Sequence, residues 1–163
     1  VYASAMAAGK LSRYATVSNA AVPYPGASRS DTWTPQNDAK HNASSYSLQT
    51  ALGLSVNRPA VATLDKLGIK PMLKYARDSF GIESEMPPYL PLALGAGELR
   101  PIELAEAYSV FMLKGDRVRP YPIVRIVDPE GNVLKKYEPK IFRSVFDPVA
   151  AAAMDDLLRG VVT

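Results

Sequence analysis

Pro59 interrupts an otherwise helical apolar run, LQTALGLSVNRPAVATLDKL over residues 48–67, and the chain must turn there. In a helix interior, proline removes a donor and clashes with the preceding turn. In the first turn of a new helix its missing N–H costs nothing. The stretch therefore reads as two helices joined at Ser55-Val56-Asn57. Ser47 suits the N-cap of the first, with Leu48, Ala51, Leu52 and Leu54 supplying apolar positions behind it. Ala60, Val61, Leu64 and Leu67 continue at helical spacing, and Gly68 is placed to end the second. Ser55 and Asn57 thus sit at a corner between apolar helices, where a hydroxyl and an amide can point together into a cleft. By spacing alone, the commoner role of such a pair is to satisfy backbone groups at the turn.

The other elements follow from similar signals. Residues 1–9 are alanine-rich and read as the later turns of a helix stopped by Gly9. From Lys10 to Tyr46 periodicity is lost. Pro23, Pro25, Gly26, Pro35 and Asn37 punctuate what reads as a long structureless connection. Trp33, the single tryptophan, serves there either as an anchor to the core or as a platform for a ligand, the anchor being the commoner use. Pro71–Phe80 reads as a short helix stopped by Gly81, and Pro87, Pro88 and Pro91 make 82–91 an extended loop. Leu92–Gly97, apolar and glycine-bearing, suggests backbone passing close to a helix.

Pro101–Lys114, closed by Gly115, is apolar on nearly every side, with Glu103 and Glu106 as its polar edge. It reads as a core helix. Val118–Tyr137 reads as a β-hairpin around the turn Asp128–Asn132, and Asp147 as the cap of a last helix, Pro148–Arg159, ended by Gly160. The expected fold class is mainly α with a small β-hairpin, in one domain spanning 1–163.

Composition narrows the chemistry. The chain has no cysteine and one histidine, His41, so disulfides, thiolate metal sites, cysteine nucleophiles and His-based triads are set aside, and neither a metal nor a cofactor is expected. The formal charge of +3 is modest. Arg117, Arg119, Arg125, Lys135, Lys136, Lys140 and Arg143 are interleaved with Asp116, Asp128, Glu130 and Glu138. That mixture reads as a solvated basic hairpin, not the one-sign stripe that nucleic acid requires. No apolar run approaches the roughly 20 residues of a membrane span.

At this point the sequence resembles the transpeptidase (penicillin-binding) domain of class A penicillin-binding proteins. The markers are W-x-P-x-N at Trp33–Asn37, S-L-x-x-A-L-x-x-S-x-N-x-P-A-V from Ser47 to Val61, and L-A-L-G at Leu92–Gly95. To these add Pro101-Ile102-Glu103-Leu104-Ala105-Glu106-Ala107-Tyr108, then Pro120 and Ile123 ahead of Asp128-Pro129-Glu130-Gly131-Asn132-Val133. Each is unspecific alone; together, in order, they are highly specific. The resemblance implies the helical lobe of the penicillin-binding and serine β-lactamase-like fold, which is α+β when whole.

The resemblance also implies peptidoglycan D,D-transpeptidation on the extracytoplasmic face of the bacterial membrane, tethered only through an N-terminal anchor outside this sequence. Stem peptides are the implied partners, with β-lactams as inhibitors of the full domain and no nucleic acid. Ser55 and Asn57 match the family's S-x-N motif, whose serine relays protons and whose asparagine orients substrate or lysine; the motif logic is general to these enzymes. Trp33 is carried as a candidate substrate-binding residue. Neither S-x-x-K nor K-[ST]-G occurs, the nearest to the first being Thr63-Leu64-Asp65-Lys66. Family order places the first ahead of the helix ending at Gly9 and the second beyond Thr163, so the chain is expected to be the middle of a larger domain, inactive alone. The alternative is a non-catalytic binding or scaffold piece of the same lineage. A smaller departure is Phe111-Met112-Leu113-Lys114-Gly115, where the family usually has a small residue and a glycine pair.

Overall fold

The structure, a computed structural model, describes residues 1–25 and 31–162; Gly26 lies outside them. Six α-helices dominate the described residues, with short antiparallel strand pairs between them: α1 (Tyr2–Ala7), β1 (Thr16–Ser18), β2 (Tyr24–Pro25), β3 (Thr32–Trp33), β4 (Ser45–Ser47), α2 (Leu48–Gly53), α3 (Asn57–Leu67) and α4 (Ile69–Asp78). A 3-10 turn (Leu90–Leu94) then precedes α5 (Pro101–Met112), β5 (Arg117–Arg119), β6 (Arg125–Val127), β7 (Val133–Lys136), β8 (Lys140–Phe142) and α6 (Pro148–Val162).

The core lies where α1, α2, α3, α5 and α6 meet, around the fully buried Leu48, Val61, Leu64, Val110 and Ala151. Small residues make this possible: Ala150, Ala151 and Ala153 bring α6 close to its neighbours, and a Cβ on Gly53 would stand 3.1 Å from the Gly160 carbonyl. Phe80, Phe111 and Phe146 stack within the same core, with Phe80 and Phe146 centroids 5.1 Å apart. The helix pair at 48–67 forms as its residues dictate. Ser47 Oγ accepts the Thr50 N–H at 3.1 Å, and Pro59 lies buried in the first turn of α3. The 3-10 turn packs against α3, but not through its glycines: Gly95 takes left-handed backbone in open space, and a Cβ on Gly97 would meet Leu92 and Met86.

Five expectations are corrected. The 10–46 connection carries structure: β1 pairs with β4, and β2 with β3, so each pairing joins residues too far apart for local periodicity to show. The 118–137 hairpin is present as β6–β7 around Asp128–Asn132, but Val118 lies in β5, which pairs with β8 in a separate ladder. Gly160 does not end α6, which runs to Val162; its lack of a side chain serves the contact with Gly53 and Gln49 instead.

The largest correction concerns α5. Its two glutamates face inward, Glu103 only 4% and Glu106 6% exposed, while Ile102, Leu104, Tyr108 and Met112 face out. Buried partners explain the inversion. Glu103 accepts the backbone N–H groups of Glu83 and Ser84 at 2.8 and 2.9 Å and the Arg100 guanidinium at 2.8 Å. Glu106 lies 3.1 Å from Arg117, which is itself buried and not part of a solvated basic face. A Cβ on Gly81 would strike both Glu106 and Arg117, so that stop position is also a close approach.

Candidate active site

The corner at residues 54–57 is built by one helix ending and another starting. The Ser55 N–H donates to Leu52 O at 3.0 Å, and the Val56 N–H to Ala51 O at 2.9 Å. This is a Schellman ending, whose first residue beyond the cap must take left-handed backbone. Ser55 does so, at φ +54°, where glycine is the usual occupant. The same ending closes α1, where Gly9 holds the equivalent place. A serine there carries backbone strain that glycine would avoid, and strain of this kind clusters at working sites.

Val56 is buried and starts α3 without a capping oxygen. The 31–44 segment supplies one: Asn37 Oδ1 accepts the Arg58 N–H at 3.1 Å. Next to it, Asn57 Nδ2 donates to Gln36 O at 2.6 Å. A carbonyl can only accept, so the amide's nitrogen end faces Gln36 and its oxygen is left for other donors.

Ser55 is exposed and Asn57 half-buried, and both line a cleft of about 460 Å³. Val1 and Tyr2 at the start of α1 border the same cleft, as do Phe80 and Tyr108. Its walls are otherwise largely apolar. The Tyr2 hydroxyl is buried, with no hydrogen-bond partner among the described residues, and burial pushes its pKa up. A hydroxyl that donates and accepts beside an amide that does not titrate can pass a proton and orient a substrate amide. Among the described residues no cluster of His, Asp or Glu could hold a metal ion.

Trp33 stands elsewhere. It pairs with Tyr24 across β2–β3, is half-buried, and its ring lies 6.5 Å from that of Tyr24; it does not line the Ser55 cleft. Its segment nevertheless reaches the corner through Gln36 and Asn37. Reading the sequence misses Asn19 and Arg58, which brace that segment. No local signal points to them, since Ser55 and Asn57 both read as ready caps and only the structure puts Val56 at the helix start.

Comparison with known proteins accounts for the whole chain. The penicillin binding protein transpeptidase domain matches residues 1–163. Penicillin-binding protein 1A of Aquifex aeolicus is 33% identical over 162 residues, and that of Neisseria lactamica 33% over 168. Each alignment takes in 99% of this chain but only 22% and 21% of those proteins, so the chain spans about a fifth of their length. The crystal structure of penicillin-binding protein 1A from Haemophilus influenzae superposes with a TM-score of 0.76 at 29% identity, covering 86% of this chain and 21% of that one. Penicillin-binding protein A from M. tuberculosis, solved as its penicillin G acyl-enzyme complex, shares the fold at a TM-score of 0.79 and 22% identity, over 98% of this chain and 41% of its own. By sequence over its full length and by fold, this chain belongs to the penicillin-binding protein transpeptidase domain family.

Proposed function

We propose that these 163 residues are the helical lobe of a peptidoglycan D,D-transpeptidase, a partial domain whose nucleophilic serine and its lysine belong to an S-x-x-K outside this sequence. That serine attacks the carbonyl between the two terminal D-alanines of a stem peptide and expels the last one. The acyl group then passes to an amine of a neighbouring stem, closing the cross-link. Ser55 carries the proton from nucleophile to leaving amine, and Asn57 orients the lysine or the substrate amide. β-Lactams acylate the same serine. The work is done on the extracytoplasmic face of the bacterial membrane, held there by an anchor elsewhere in the protein. Within the described residues no helix is long and apolar enough to cross a membrane.

One observation carries the reading: Ser55 holds a strained, left-handed position and opens, with Asn57, on a cleft bordered by the first residues of α1. Glycine is the usual occupant of such a place; Lys114 holds the same one at the end of α5, and what sets Ser55 apart is that its place opens on the cleft. The test is labelling with a fluorescent penicillin. The 163-residue chain takes no covalent label, and the protein with its flanking sequence takes one. Label on the short chain would overturn the assignment of the nucleophile.

A further inference from the structure

Three consecutive residues of the 31–44 segment grip the first turn of α3. Arg58 Nε donates to Pro35 O at 3.1 Å, Asn57 Nδ2 to Gln36 O at 2.6 Å, and the Arg58 N–H to Asn37 Oδ1 at 3.1 Å. Asn37 cannot swing away from this task. Its Nδ2 donates to Asn19 Oδ1 at 2.6 Å, and Asn19 Nδ2 donates in turn to the carbonyls of His41 and Ala43 at 3.2 and 2.8 Å. Each amide end thus has one permitted orientation. Asn19 is almost fully buried and Pro35 entirely so, which makes the brace a fixed part of the fold.

None of Pro35, Gln36 or Asn37 lines the cleft. Whatever they do to chemistry there, they do through α3. A helix whose own N-cap is valine begins with orphan donors, and the lowest-energy place for its first residue follows whatever satisfies them. The rotamer of Asn57 is tied to the same segment by a separate hydrogen bond.

We propose that Asn37 is a positioning residue for the Ser55–Asn57 corner: by capping α3 from outside, and by placing the Gln36 carbonyl against the Asn57 amide, it sets how that amide faces the cleft. The inference rests on the reading of Ser55 and Asn57 as working groups.

The test has two arms. In the 163-residue chain, Asn37→Ala accelerates hydrogen exchange at the Arg58 amide, and Asn37→Asp, which keeps a capping oxygen, restores part of the protection. In the full-length protein, the acylation rate constant with penicillin is measured per folded molecule, so that lost folding does not count as lost rate. Asn37→Ala slows acylation about tenfold or more, the scale of a misplaced orienting group. Asn37→Asp recovers part of that rate. A merely structural role lowers the folded amount and leaves the rate constant unchanged, and that result overturns the proposal, as does unaltered exchange at Arg58. Should Asn37→Ala not fold, Arg58→Ala, which removes the side-chain hydrogen bonds to the Pro35 and Asn19 carbonyls and keeps the backbone N–H, replaces it: slower acylation supports the brace, and a wild-type rate overturns it. Ser55→Ala and Asn57→Ala serve as controls. If both acylate normally, the reading of the corner fails; if they are slow while Asn37→Ala is not, the positioning role alone fails.

Discussion

Glu106 and Arg117 meet at 3.1 Å inside the protein, both side chains less than a tenth exposed. The contact is held by charge, since neither Glu106 Oε1 nor Arg117 Nε makes an aligned hydrogen bond. Arg117 adds hydrogen bonds to the carbonyls of Asp78 and Ser79, each at 3.2 Å, and stacks over the Phe142 ring. One arginine therefore ties α5, the end of α4 and the β5–β8 ladder together. Removing one partner of a buried pair strands the other charge. Glu106→Ala or Arg117→Ala should lower stability by about 3–5 kcal/mol, whereas the double change to Leu and Met should recover much of it. Urea unfolding of the single and double variants measures both.

The end of α5 repeats the ending of α2, with Lys114 at φ +53° in the left-handed place and Gly115 at φ +103° after it. A Cβ on Gly115 would collide with the Phe146 carbonyl, whereas the Lys114 side chain is exposed. Lys114→Gly should stabilise the chain by up to about 1 kcal/mol. Gly115→Ala should destabilise it by more than about 1 kcal/mol. Opposite shifts of thermal midpoint at adjacent positions are the expected reading.

Ser55 sits in the same strained conformation, but at the cleft. Ser55→Gly should raise stability by about 1 kcal/mol, because glycine enters left-handed backbone freely. In the full-length protein it should also slow acylation, because the hydroxyl is gone. A variant at once more stable and slower marks a residue kept for chemistry. Thermal melts and penicillin acylation on the same preparation decide it.

Glu103 is held ionised by the Arg100 guanidinium, by the Ser84 hydroxyl, and by the backbone N–H groups of Arg100 and Glu83. These place its pKa well below the usual carboxylate range. The unfolded chain binds this proton first as pH falls, so the stabilisation is fully present above the unfolded value of about 4.3 and is lost progressively below it. Thermal midpoints measured from pH 6 downward should fall more steeply for the wild type than for Glu103→Gln. Parallel slopes would remove Glu103 from the acid response.

Much of the helical frame is legible without coordinates, because its signals are local. Ser47 caps α2, Pro59 opens α3, Pro101 opens α5 and Asp147 caps α6, each acting on backbone within three residues. The Ser55–Asn57 corner is legible for the same reason: a proline two residues after an asparagine forces the turn. The strand pairs β1–β4 and β2–β3 are not, since each joins residues that are not neighbours in sequence. Nor is the facing of α5. With apolar residues nearly all round, its sequence names no inner side, and the choice falls to Arg117 and to the backbone of Glu83 and Ser84, which lie outside the helix.

The sequence by itself determined which stretches are helical and that a hydroxyl and an amide share one corner, because caps, prolines and apolar spacing act over a few residues; several helix bounds shifted by two or three residues, α4 running Ile69–Asp78 and α6 to Val162. Only the tertiary structure decided which way α5 turns, that Gly160 is a contact and not a stop, and that Asn37 caps a helix starting twenty residues later. Those outcomes depend on burying charge and satisfying orphan donors with groups distant in the chain. No local pattern encodes such a partner; it is supplied when the chain closes on itself.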